Sequence, residues 1–599
     1  MRLHRVLVAC VLVASLSIGA TFTLSAAGKR AGNDLIKEDE IRQWLTRFAS
    51  DEFEGRATFT EGLGLAAGYL AEQLKSWNVK PGGEAGSYFQ RVRVLGVKST
   101  NRSSVIVEAG GEKRTFKIGE GITLPSNVGA KQTVASEEIE FLGYGLHAPW
   151  AKHDDFAGRD VKGKVTVWLG TMGPKDLDNA ARRLLFSRSR HATEERGAIA
   201  TVGPPSGFRP PAAAAIPQAG LSPAPGAARP EQGAPGQAAS DQAAGQMRGM
   251  FGPPIERADF TTVQRLDQPI PPAVSAQDAF FEFLFKGQQV EYAELKSKVS
   301  NREPLPVFTL KGVRITINID ADYQVVRTQY TRNVVGVVEG RDAKLKDTYV
   351  AFGAHYDHVG YSEGEMVQTG SGLRRAEPRG RIKEGALDDR YWNGADDDGS
   401  GSIAMLSVAK AFALGTRPRR SLIFVWHTGE EKGLYGSRYY ADYPAVPIEK
   451  TVAEVNMDMV GRNRDDKAEH QDTVYLIGSD RISTELHNLC IDANAGLPRP
   501  LKLDFEMNDP SDPEGFYYRS DHYSYARKGI PVVFLTTGLH PDYHANTDGI
   551  DKIDWAKMTR ITRLVYEVGR RVADLDRPPV RDNLGPRVGK GSNGKLTAQ

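Results

Sequence analysis

The stretch NGADDDGSG, Asn393 to Gly401, sets three carboxylates side by side between glycines, just ahead of a segment patterned like a helix. Asn, Asp, Gly and Ser are ordinary turn residues, so a solvated turn explains the run equally well until its surroundings are weighed. Four apolar runs nearby end in acids or histidines. TYVAFGA ends in His355-Tyr356-Asp357, SLIFVW in His427 to Glu431, VAEVNM in Asp458, and IPVVFLTTG runs on to Asp542-Tyr543-His544. Singly, each reads as a surface turn. Together they bring imidazole and carboxylate to the carboxyl ends of strands, where ligands gather in an open α/β sheet. Two histidines and three carboxylates on one rim suit a pair of divalent cations, each with one imidazole and one terminal carboxylate, the third acid bridging. That donor set favours zinc, or manganese or cobalt, over calcium or magnesium. The bridging acid must lie in a tight, glycine-flanked loop, a role for one aspartate of the run. His358, His427, His522 and His540 compete for the imidazole positions.

The elements that must place these groups follow from periodicity. From Thr331 onward apolar strands, loops and helices alternate, ending in a helix striped by Ile561, Leu564, Val565, Val568 and Val572. This is an α/β pattern with a mostly parallel central sheet flanked by helices, main part 326–576. Two amphipathic helices open the folded chain, striped by Ile41, Trp44, Leu45 and Phe48 and by Leu63, Ala67, Leu70 and Leu74, within 32–97. Between them, 98–325 turns to short alternating strands, a separate β-rich insert. Within it, 203–257 is mostly Pro, Gly, Ala and Gln, too poor in large apolar groups to offset ordering entropy, and is expected to be disordered, as is the polar tail 577–599.

With 599 residues and 40% apolar residues, the chain can bury two or three real cores. Its 77 basic and 75 acidic residues leave a formal net charge of +2, with no long basic run in the folded part, which argues against nucleic acid as a partner. Residues 1–27 read as a signal peptide: a basic start, an apolar run from Val6 to Leu24, and small residues Ser25 to Ala27. Export to periplasm or medium is expected, without a stable membrane anchor once the leader is cleaved. Cys10 lies in that leader, so only Cys490 remains and no internal disulfide is available. Oligomeric state is not legible.

In order, GAHYDH, NGADDDGSG, TGEEKGLYGS, NMDMVGR and DYH resemble metallopeptidase family 28 of clan MH, the co-catalytic zinc aminopeptidases, which also include glutamate carboxypeptidase and the non-enzymatic transferrin receptor. DEFEGR and SYFQRV resemble the start of that domain. LGYGLHAPWAKHDDFAGRDVKGKV resembles the protease-associated (PA) insert of many members. The resemblance implies two zinc ions per chain: one on His355 and Asp458, the other on Glu431 and His544, with Asp397 bridging. It further implies Glu430 as general base, Asp357 orienting His355, and Tyr543 hydrogen-bonding a tetrahedral intermediate. Peptide substrates and removal of N-terminal residues are the expectation it carries. A carboxypeptidase or dipeptidase gripping a terminal carboxylate through Arg519 is the alternative, and a transferrin-receptor-like binding protein a remote third. The chain departs from the family in the long stretch Tyr361 to Arg390, a candidate lid or substrate contact, and in ANTD after His544.

Overall fold

The computed structural model describes residues 32–205, 257–369, 372–375, 380–583 and 585. The leader 1–27 and nearly all of 203–257 lie outside the described residues. Among the described residues no helix is long and apolar enough to cross a membrane.

The main sheet is built from strands β1 (Phe89–Asn101), β2 (Ala321–Val338), β3 (Tyr349–His355), β4 (Ser421–His427), β5 (Thr451–Met457), β6 (Thr473–Ile477), β7 (Lys502–Asp504) and β8 (Val532–Thr536). Phe260–Thr262 joins its edge, Lys80–Pro81 pairs with the end of β2, and the order across the sheet is Phe260–Thr262, β1, β2, β4, β3, β5, β8, β6, β7. The centre, β4-β3-β5-β8, is parallel. β2 and β6 flank it antiparallel. Central strands buried on both faces read as unbroken apolar runs rather than alternating ones. Val350, Phe352 and Ala354 face one core, under helices α1 (Glu38–Phe48), α2 (Glu61–Ser76), α3 (Gly401–Leu414), α4 (Thr484–Ala495) and α5 (Trp555–Ala573), while Ala351 faces the other. α3 is apolar nearly all round because α1, α2 and α5 cover the side turned from the sheet. Gly569 of α5 lets that helix close on Phe352, whose ring would lie 2.2 Å from an added Cβ. The chain steps from β3 out to β4 and back across β3 to β5, and this reversal opens a crevice at the carboxyl ends of these strands.

The β-rich part forms a second ten-stranded sheet with its own core of Val105, Phe141, Val167, Val202, Phe281 and Ile315 among others. The expected boundaries at 98 and 326 fall inside β1 and β2, which pair with each other from Phe89–Val334 to Asn101–Ala321. One continuous ribbon therefore carries the chain out of the main sheet and back, and Phe260–Thr262 returns to it in mid-insert. The tail expected to be disordered from Arg577 is held through Asn583: Arg577 pairs with Glu485, and the Asn583 amide donates to Ile482.

Candidate metal centre

The aspartate run forms a tight turn entering α3, and its three acids are spent differently. Asp398 accepts the amides of Gly401 and Met459 on Oδ1 (2.9 and 3.0 Å) and that of His355 on Oδ2 (3.2 Å). Asp396 accepts the Gly461 amide (2.6 Å) and the Ser400 hydroxyl (2.8 Å), and its other oxygen faces His540 Nε2 at 3.3 Å. Both outer acids thus tie the turn to the neighbouring loops. Gly394 has φ +53, and a Cβ there would stand 2.2 Å from the Asp397 carbonyl, so only glycine fits.

Asp397, the middle acid, points the other way. Its Oδ1 lies 3.4 Å from His355 Nε2 and its Oδ2 lies 3.1 Å from His544 Nε2. His355 Nε2 is also 3.7 Å from Asp458, and His544 Nε2 is 2.9 Å from Glu431. One carboxylate thus stands between two imidazoles, each with a further carboxylate of its own. His355 ends β3, Glu431 follows β4, Asp458 directly follows β5, and His544 sits in the loop after β8. Burial pushes Asp397 up, but the two imidazoles outweigh it and hold the carboxyl well below its usual range. Asp397 Oδ2 is buried with no hydrogen-bond partner. A divalent cation fits this arrangement, since imidazole nitrogens and carboxylate oxygens converge where, among the described residues, no lysine or arginine forms a salt bridge with Asp397, Asp458 or Glu431, and His358, Asp397 and Glu431 offer ligand atoms within 4.8 Å of one another.

Glu430 lines the cleft beside this cluster with Asp397, Asp458, Arg519 and Tyr543, under an apolar wall of Met459, Phe516, Phe534 and Leu539. Burial, and then the charges of Asp458, Glu431 and Asp521 working against His355, push its carboxyl well above the usual range. The Tyr543 hydroxyl accepts from Arg519 Nη2 at 3.4 Å, and its ring stacks on His544 with centroids 3.9 Å apart. Asp357 stands against His355, its carboxylate 3.8 Å from His355 Nδ1. His355 Nδ1 bonds its backbone carbonyl (3.0 Å), whereas its carboxylate accepts the Glu430 amide (3.1 Å) and the Thr58 hydroxyl (2.9 Å). The Asp357 side chain thus also anchors the Glu430 loop.

Peptidase family M28 matches this chain over residues 333–569, a span holding all of these ligand-type side chains. This part of the chain is similar to peptidase family M28. A protein named probable leucine aminopeptidase from Arthroderma benhamiae is 27% identical to the chain over 244 residues, 39% of this chain and 55% of its own length. One so named from Trichophyton verrucosum is 30% identical over 183 residues, 29% and 46% of the respective lengths. The chain thus spans about half the length of the curated relatives it matches. An aminopeptidase from Aneurinibacillus sp. strain AM-1 superposes with a TM-score of 0.39 at 17% identity, covering 92% of this chain and 99% of that one, too loose a likeness to bear on the site.

Within the M28 domain, three competing histidines are committed elsewhere. His427 Nε2 bonds Tyr525 (3.0 Å), His522 stacks on Phe534, and His540 faces Asp396. His358 does enter the cluster: its Nδ1 bonds Glu431 at 3.0 Å and stands 3.8 Å from Asp397, so it orients a ligand-type acid. Two supports lie in stretches that the sequence singled out without giving them a role, Arg56 in DEFEGR and Asp548 in ANTD. Asp548 accepts the amides of Asp396 and Asp397 (both 3.1 Å). Arg56, fully buried, donates to the carbonyls of Tyr356, Phe48, Asn393 and Gly394 at 2.6–3.0 Å. The long stretch after Tyr361, where it is described from Gly380 on, is bonded along the loop that carries His544.

Proposed function

We propose that this chain is a di-zinc exopeptidase that removes N-terminal residues from peptides, exported by the leader read in its sequence. The observation that carries the reading is Asp397 placed between His355 and His544, each with its own acid, Asp458 and Glu431. His355 and Asp458 would hold one ion, Glu431 and His544 the other, and Asp397 both. Bound there, the ions supply Lewis acidity, polarising the scissile carbonyl and acidifying a water. Glu430, in reach of the cleft yet outside the ligand set, takes the proton of the attacking water and returns it to the leaving amine. Its raised proton affinity suits that exchange. Tyr543, fixed by Arg519 and by stacking on His544, offers its hydroxyl to the developing oxyanion. The Met459, Phe516, Phe534 and Leu539 wall suits an aliphatic or aromatic side chain at the cleaved end.

Cleavage of leucine p-nitroanilide with no turnover of its N-acetyl form is the expected result, together with two zinc ions per chain by elemental analysis. Arg519 on the cleft favours a second reading, a carboxypeptidase or dipeptidase binding a free carboxylate. Cleavage confined to peptides with a free carboxyl end would establish that reading and sink the first.

A further inference from the structure

His544 sits at φ +55, a left-handed backbone that is unfavourable for a side-chain-bearing residue and persists only when neighbours impose it. The neighbour here is the rim segment from Gly380 to Trp392. The Arg381 amide donates to the His544 carbonyl at 2.8 Å. Its guanidinium donates to the Tyr543 carbonyl and, at 3.2 Å, to that of Pro541. The Arg381 carbonyl in turn accepts the Asn546 amide (3.1 Å) and Trp392 Nε1 (2.9 Å). Asn546 closes the frame, its side chain donating to Ala386 and Asp389 and accepting from the Lys383 amide. Three successive peptide groups around His544 are therefore fixed by one residue of another loop.

We propose that Arg381 is the positioning residue for His544 and Tyr543, and that this segment is a brace for one half of the metal pair. The proposal rests on the di-cation reading above. Arg381 hydrogen-bonds the loop after β8, whereas the segment's pairing of Tyr391–Trp392 with Gly360–Tyr361 stays in place when Arg381 is replaced, so its loss should weaken the Glu431–His544 position and spare the His355–Asp458 position. Supporting groups of this kind change metal affinity by about tenfold to a hundredfold.

The test is zinc titration of full-length apo protein against a competing chromophoric chelator, for wild type, Arg381→Met, Arg381→Lys and Asn546→Ala. The expected result is two sites in wild type, and in Arg381→Met one site of unchanged affinity and one weakened at least tenfold. Arg381→Lys should recover part of the loss, and Asn546→Ala, which leaves the guanidinium in place, should weaken the same site. Two sites of wild-type affinity in both Arg381→Met and Asn546→Ala would overturn the proposal. So would equal weakening of both sites, the signature of general loss of structure. A wild-type chain that binds no second ion would instead overturn the di-cation reading and the brace with it.

Discussion

Glu430 and Glu431 are neighbours with identical side chains and opposite surroundings. Glu431 lies against His544 and His358, which hold its carboxyl low against the push of burial, while Glu430 faces the cleft among other acids. Glu430→Gln keeps shape and removes the proton acceptor, so kcat should fall by about a hundredfold to ten-thousandfold with zinc content unchanged. Glu431→Gln should lose metal as well as rate. Zinc stoichiometry and kcat measured side by side decide it; metal loss in the first variant and retention in the second would reverse the roles. At this scale the sequence pattern carries the ligand types, because strand-end acids and histidines are conspicuous against apolar runs. It does not carry which oxygen a ring nitrogen meets. The Asp357 oxygen nearest His355 Nδ1 is the backbone carbonyl at 3.0 Å, with the carboxylate at 3.8 Å and also on the Glu430 amide.

Among the elements, the turn before α3 depends on a residue far from it in sequence. Arg56, itself at φ +52, buries its guanidinium against the ring of Phe48 and donates to four carbonyls, two of them in Asn393-Gly394. Burial brings this guanidinium down to about 10, partly offset by Asp398, Asp397, Asp357 and Asp548. Arg56→Met should destabilise the chain by about 3 kcal/mol or more, since several buried carbonyls lose their donor at about 1–3 kcal/mol each. Urea unfolding of wild type and variant measures it, and a change under about 1 kcal/mol would show that water replaces the donor. The helices and central strands were legible because their apolar periods are strong: the stripes of α1, α2 and α5 are the ones buried. The β1–β2 ribbon was not, because a long strand that leaves one core for another changes its burial pattern midway and so reads as a boundary.

Across the whole molecule, the insert meets the M28 domain on the wall of its cleft. Glu195 of the insert pairs with Arg481 (2.6 Å) and accepts from the Tyr518 hydroxyl, Trp150 Nε1 donates to the Ser511 carbonyl (3.1 Å), and Arg183 pairs with Glu514. Arg190 stacks on Tyr518 at 3.8 Å from its centroid. All but Arg481 of these partners lie between Ser511 and Tyr518, next to Phe516, Arg519 and Ser520 of the cleft. None of these contacts falls on the side chains proposed to hold metal. Glu195→Gln leaves the nearly buried Arg481 without its paired charge while the Asn508 contacts of that arginine remain, so the segment should loosen rather than unfold. A loosened wall weakens substrate binding without touching the groups that move protons. The expected outcome is a KM for leucine p-nitroanilide raised about threefold to tenfold, kcat within about twofold of wild type, and zinc content unchanged. Steady-state kinetics with parallel metal analysis reads all three. An unchanged KM would mean that the insert only rests on the cleft wall, and a collapse of kcat with zinc retained would place the Glu195 contact in the chemistry itself.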